Sequence, residues 1–124
     1  MIILFLLSLA GVQVAGNWTL IHETISSKMY LDVSSVKEVR RDIRSAWVRR
    51  QNDPVNDAGI SFEVMKMRFD CANEESGIMS FTYYDANGQA ILYRDYNDDQ
   101  IEMTILVPGT SGIGTLNAVC SVTI

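Results

Sequence analysis

The chain has 124 residues, of which 48% are hydrophobic and 20% charged, and a formal net charge of −5 at pH 7. That length fits one small domain with a single core. The acidic balance argues against nucleic acid as the main partner, because phosphate neutralisation dominates that affinity.

Residues 1–16 are apolar and uncharged and end in the small residues Val14, Ala15 and Gly16. This pattern reads as a secretory signal cleaved after Gly16, leaving residues 17–124 as one domain. The only positive charge before Lys28 is the N-terminal amine. The stretch is shorter than the roughly 20 apolar residues of a membrane span, so no stable span is expected. Leu9, Ala10 and Gly11 approach a bacterial lipoprotein box, but the next residue, Val12, has no thiol to carry a lipid. The expected location is the periplasm or the medium, and the missing box cysteine leaves cell-surface display without support from the sequence.

Trp18 to Ile21 and Met29 to Val33 are short runs rich in β-branched and aromatic residues, so both are predicted strands, with a polar turn from Glu23 to Lys28 between them. The single histidine, His22, follows the first run and reads as a surface or edge residue. Residues 35–50 are ambiguous. Ser35 and Glu38 form a capping-box pair, and Val36, Val39, Ile43 and Trp47 recur at helical spacing. A short helical turn from Ser35 followed by a strand from about Arg41 fits equally well, with Ile43, Ser45, Trp47 and Arg49 alternating against Arg44, Ala46, Val48 and Arg50. In the strand reading Trp47 is expected to contribute to the core.

Asp53, Pro54, Asn56, Asp57 and Gly59 make a hairpin connection to a long strand from Ile60 to Cys71. The apolar phase of that strand switches from even to odd positions, which predicts a bulge near Val64. Met79, Phe81 and Tyr83 are predicted to face inward from the next strand. The run Asp85-Ala86-Asn87-Gly88 marks a hairpin, Ile91 and Tyr93 continue the meander, and Glu102 to Val107 gives a last short strand. Pro108 and Gly109 then stop the sheet. Thr110 or Ser111 caps a brief helix that places Ile113, Leu116 and Cys120 on one face.

Cys71 and Cys120 are the only cysteines and lie 49 positions apart. In an oxidising compartment they read as a structural disulfide that pins this helix to the strand ending at Cys71. A loop of that length is worth roughly 4 kcal/mol in the chain-entropy model. The rival readings are a metal pair or a redox pair; each is weak, because His22 is the only histidine and there is no Cys-x-x-Cys.

Charge is unevenly spread, with every basic residue except Arg94 lying between Lys28 and Arg68. The run Lys37, Arg40, Arg41, Arg44, Arg49, Arg50 is either a solvated face interleaved with Glu38 and Asp42 or a basic patch for an acidic partner or glycan. Asp95, Asn97 and Asp99 open like a calcium loop, yet Gln100 stands where glycine is required and Leu106 where glutamate is, so no metal or other cofactor is expected. Asn17-Trp18-Thr19 matches a glycosylation sequon, which is discounted because it would lie at the mature N-terminus of a chain with a bacterial look. Ser, His and Asp occur without a nucleophile elbow or any recognisable catalytic spacing, so no catalytic residue is assigned.

Trp18, Tyr30-Leu31-Asp32 followed by Ser34-Ser35-Val36, Trp47, Asp70-Cys71, Tyr83-Tyr84-Asp85 with Gly88, Val107-Pro108 and Val119-Cys120 resemble the surface-adhesin protein E family of Gram-negative bacteria. The resemblance covers nearly all of residues 17–124 through short, dispersed motifs. It implies an α+β fold: a curved antiparallel sheet of about six strands, with a C-terminal helix fastened to the concave face by the disulfide. It favours strand over helix for Ile43 to Arg50. It also implies an adhesin-like binding module rather than an enzyme, with host matrix or serum proteins such as laminin and vitronectin as partners. On that reading Arg40, Arg41, Arg49 and Arg50 are the candidate binding residues, sulfated glycans are a further ligand class, and a homodimer is among the expected assemblies. The alternative is a periplasmic accessory protein or small enzyme with an unidentified ligand.

Overall fold

The computed structural model describes residues 17–124; the assigned signal sequence, residues 1–16, lies outside the described residues. Eight strands form one antiparallel sheet: β1 (Trp18–Glu23), β2 (Ser27–Asp32), β3 (Lys37–Arg40), β4 (Ile43–Asn52), β5 (Phe62–Asp70), β6 (Glu75–Tyr84), β7 (Ala90–Asp95) and β8 (Thr104–Ile105). One helix, α1 (Ser111–Ser121), follows. The path across the sheet is β1-β2-β4-β5-β6-β7. β3 pairs with the first part of β4, beyond the reach of β2, and β8 pairs with the first part of β6, beyond the reach of β7. The two short strands are what raise the count from the expected six to eight.

The turns follow from local side-chain chemistry. The Thr24 hydroxyl accepts from the amides of Ser26 and Ser27, closing the β1–β2 hairpin. The Asp32 carboxylate accepts from the Ser34 amide and starts a single 3₁₀ turn, Val33–Ser35. The expected capping box does not form, because the Ser35 hydroxyl is already committed. It donates to the Asp32 carbonyl at 2.6 Å and accepts from the Trp47 amide at 2.8 Å, which ties the turn to β4. The helical reading of residues 35–50 is therefore corrected to a 3₁₀ turn, then β3, then β4. The reversal between the last two places Asp42 at φ 63°, a left-handed conformation that aspartate tolerates better than most residues.

The expected bulge near Val64 is also corrected. β5 runs in unbroken register with β4 from Ile43↔Asp70 to Gln51↔Phe62. Odd positions face the core along its whole length, with Glu63, Met65 and Phe69 buried. The irregularity is one strand over, where Lys66↔Ser80 is followed by Met67↔Ile78, so that Met79 is the extra residue in β6. Met79 uses its carbonyl to accept from the Tyr96 amide.

Strand alternation gives the sheet two unlike faces. The inner face carries Met29, Leu31, Ala46, Val48, Met65 and Phe69, and α1 lies on it with Leu116 and Val119. Phe69, Val48 and Val119 are fully buried, each worth about 1.5–3 kcal/mol of transfer free energy. Thr110 caps the helix by accepting from the Ile113 amide, and Cys71–Cys120 bonds the helix to the end of β5 as expected. Gly77 on β6 passes so close to residues 101–103 that a Cβ there would lie 2.7 Å from the Glu102 carbonyl oxygen and 2.9 Å from the Met103 sulfur. That contact lets the segment before β8 lie against the sheet.

Candidate functional site

Trp47 lies opposite Lys66 on the outer face, the one α1 does not cover. It is 38% exposed. The expectation that Trp47 belongs to the core is corrected: in β4 the inward positions are Arg44, Ala46, Val48 and Arg50, so the odd-numbered Trp47 points away from the helix. Tyr93 of β7, opposite Thr82, reaches the same face and is 58% exposed.

On the same face, in the rows around and beyond Tyr93, lies a stack of aromatic and cationic side chains. The Phe62 and Tyr84 rings stack with centroids 4.5 Å apart and planes 10° from parallel. The Arg49 guanidinium lies 4.3 Å from the Phe62 centroid and donates to the Gln51 side-chain oxygen at 3.0 Å, an arrangement that combines cation–π attraction with apolar contact. Tyr30 is the register partner of Arg49 on β2. Trp18, Tyr30, Arg49 and Gln51 line a cleft of about 240 Å³. Partial burial lowers the Arg49 pKa from its ordinary value, and the phenols of Tyr30 and Tyr84 oppose that shift.

The four candidate arginines do not converge. Arg40 and Arg41 are exposed at the β3–β4 reversal, Arg49 is in the outer stack, and Arg50 points inward opposite Glu63. The reversal is about 20 Å along β4 from Arg49, at ~3.3 Å per residue. The tyrosines divide in the same way. Tyr84 and Tyr93 are on the outer face, whereas Tyr83 lies opposite Glu63 on the inner one and Tyr96 packs near Phe81. Arg49 is among the expected binding residues, whereas its neighbour Phe62 falls in the even apolar phase that the expected bulge near Val64 would have turned inward. The available signal was the register Gln51↔Phe62↔Tyr84, fixed by the hairpins on either side.

A second concavity, about 300 Å³, runs between α1 and the inner face past Met65, Met67, Glu63 and Tyr83. The Glu63 carboxylate sits 3.7 Å from the Arg50 guanidinium, with its side chain only 11% exposed. Burial is the main cause of a raised Tyr83 pKa, and the Glu63 charge adds to it. His22 is the nearest side chain to a Cβ built at Gly114. Gly112, which lines the groove, lies about 160° around α1 from Gly114 at 3.6 residues per turn. Among the described residues no three or more His, Cys, Asp or Glu side chains are grouped as metal ligands, and no helix is long and apolar enough to cross a membrane.

The model of one protein family, described as surface-adhesin protein E, matches residues 18–121. Two solved structures of Haemophilus influenzae protein E share the fold. Crystal form II superposes with a TM-score of 0.60 at 16% identity, covering 87% of this chain and 90% of that one. The other gives 0.58 at 16% identity, with 87% and 86% covered. No curated protein matches by sequence. The chain belongs to the surface-adhesin protein E family.

Proposed function

For a member of the surface-adhesin protein E family, we propose an exported, adhesin-like binding module that engages host matrix or serum proteins, laminin and vitronectin among them, through the outer face of its sheet. The observation that carries this reading is the composition of that face. It presents Trp47 and Tyr93 to solvent beside the Arg49–Phe62–Tyr84 stack. Aromatic residues and arginine dominate the energetics of protein–protein interfaces. Arg40 and Arg41 at the β3–β4 reversal are proposed as peripheral charges that raise association rates without setting affinity. The reading is tested by binding of the purified protein to immobilised laminin and vitronectin. Saturable binding supports it, and binding to neither contradicts it.

The inner groove favours a second reading, a periplasmic accessory protein with a small ligand. Glu63, Arg50 and Tyr83 place two charges and a phenol beside the apolar Met65 and Met67. A ligand seated there is expected to perturb Tyr83 rather than Tyr84, which separates the two readings spectroscopically.

A further inference from the structure

Arg49 is only partly satisfied by its neighbours on the outer face. Its guanidinium is fixed over Phe62, which is itself stacked on Tyr84. One Nη2 hydrogen bond goes to Gln51, while Nε is buried without a partner. The other strand arginines differ in having a counter-charge or carbonyls to donate to: Arg50 faces Glu63, Arg68 pairs with Asp98 although its Nε is also buried without a partner, and Arg44 donates to helix carbonyls. Among the described residues no carboxylate lies within ion-pair distance of Arg49. A partly desolvated cation without a counter-charge attracts an external anion more strongly than a solvated one does.

The surroundings narrow the anion. The cleft of about 240 Å³ beside Arg49 is smaller than the roughly 300–1,000 Å³ of a drug-sized site, a size suited to one sugar unit. Trp18 and Tyr30 supply flat walls for the apolar face of a pyranose, and the Gln51 amide offers a hydrogen-bonding group for its hydroxyls. We infer that Arg49 is the anion-contacting residue of a subsite for an acidic sugar, one bearing a sulfate or a carboxylate, lined by Trp18, Tyr30 and Gln51. The guanidinium meets the acidic group and the aromatic walls hold the ring. This rests on the reading of the chain as a binding module and names its ligand class.

The test is amide-shift mapping of the purified protein with a heparin tetrasaccharide, 3′-sialyllactose and lactose. The expected result is that at least one acidic sugar shifts Tyr30, Arg49, Gln51 and Phe62, that the shifts weaken as salt rises, and that lactose shifts none of them. A response to heparin that is lost with the desulfated tetrasaccharide, which keeps its uronate carboxylates, assigns sulfate, and one to sialyllactose alone assigns carboxylate. Arg49→Met, which keeps the apolar contact with Phe62, should weaken binding by about tenfold or more, against about twofold or less for Lys37→Met, at an exposed cation of β3. The inference is overturned if neither acidic sugar binds, if lactose binds equally, or if the shifts gather at Arg40 and Arg41. The wild-type shift map decides even where Arg49→Met perturbs folding. Protein that binds laminin or vitronectin but no acidic sugar overturns this subsite and leaves the module reading standing; protein that binds an acidic sugar at Arg49 but neither host protein does the reverse.

Discussion

Arg44 and Val119 are 75 residues apart in sequence, and the Arg44 guanidinium donates to the Val119 carbonyl at 2.9 Å. The same nitrogen donates to the Val122 carbonyl at 2.7 Å. The last carbonyls of a helix lack intrahelical partners and carry its negative dipole end, so a cation there satisfies both needs. α1 is rich in small residues, with Gly112 and Gly114 in its first turns, and has little intrinsic stability. It is held on the sheet by this clamp, by the Cys71–Cys120 bond and by the burial of Leu116 and Val119.

Arg44→Met should therefore cost about 2 kcal/mol, the range for a charge-assisted hydrogen bond lost from a partly buried site. Hydrogen exchange should accelerate at residues 119–122 ahead of the sheet. Equal protection in wild type and variant would show that the clamp contributes nothing.

Cys120→Ala removes the bond between α1 and β5 and is expected to cost up to about 4 kcal/mol, with the helix opening before the strands. The unreduced protein should contain no free thiol; labelling of the denatured, unreduced chain by a thiol probe would contradict this.

The two faces of the sheet predict unequal costs for removing aromatic side chains. Phe69→Ala, at a fully buried position, should lose about 3–5 kcal/mol. Trp47→Ala should lose about 1 kcal/mol, because its side chain is 38% exposed. Urea titration of both variants checks this, and equal losses would place Trp47 in the core after all.

Asp70 contributes an acid-dependent term. Hydrogen bonds from the Asn73 backbone and side chain, then from the Ala72 amide, hold its carboxyl below the ordinary value of 3.8. A folded pKa below the unfolded one means stability is present in full above the unfolded value and is lost as pH falls through the folded value. Unfolding midpoints measured from pH 6 down to pH 2 should show a shallower acid limb in Asp70→Asn than in wild type. An unchanged limb would rule Asp70 out as a contributor.

Much of this architecture is legible in the sequence because local chemistry decides it. The Asn87-Gly88 hairpin, the Thr110 cap and the lone cysteine pair each specify their element with few competitors. Residues 35–50 misled because the Ser35–Glu38 pair satisfies a capping box on paper, while in the fold the Ser35 hydroxyl is taken by Asp32 and Trp47. β5 misled because Glu63 is a buried carboxylate at an inward position, whereas Phe62 and Val64 are apolar residues on the outer side. Reading polarity as direction therefore inverted the phase of the first half of that strand. The same inversion hid Phe62, and with it the stack that holds Arg49. Outer aromatic residues look like core residues wherever a sheet uses its second face for binding.

The central claim, that the outer face is the binding surface, is tested most directly by surface plasmon resonance on immobilised laminin and vitronectin. The comparison is wild type, the double variant Trp47→Ser with Tyr93→Ser, and Ile25→Ser, whose side chain is equally apolar and fully exposed but lies in the β1–β2 turn. The account predicts saturable wild-type binding to at least one of the two proteins, a loss of about tenfold or more in the double variant, and a change of about twofold or less for Ile25→Ser. Wild-type binding that survives unchanged in the double variant, or no wild-type binding to either protein, contradicts it.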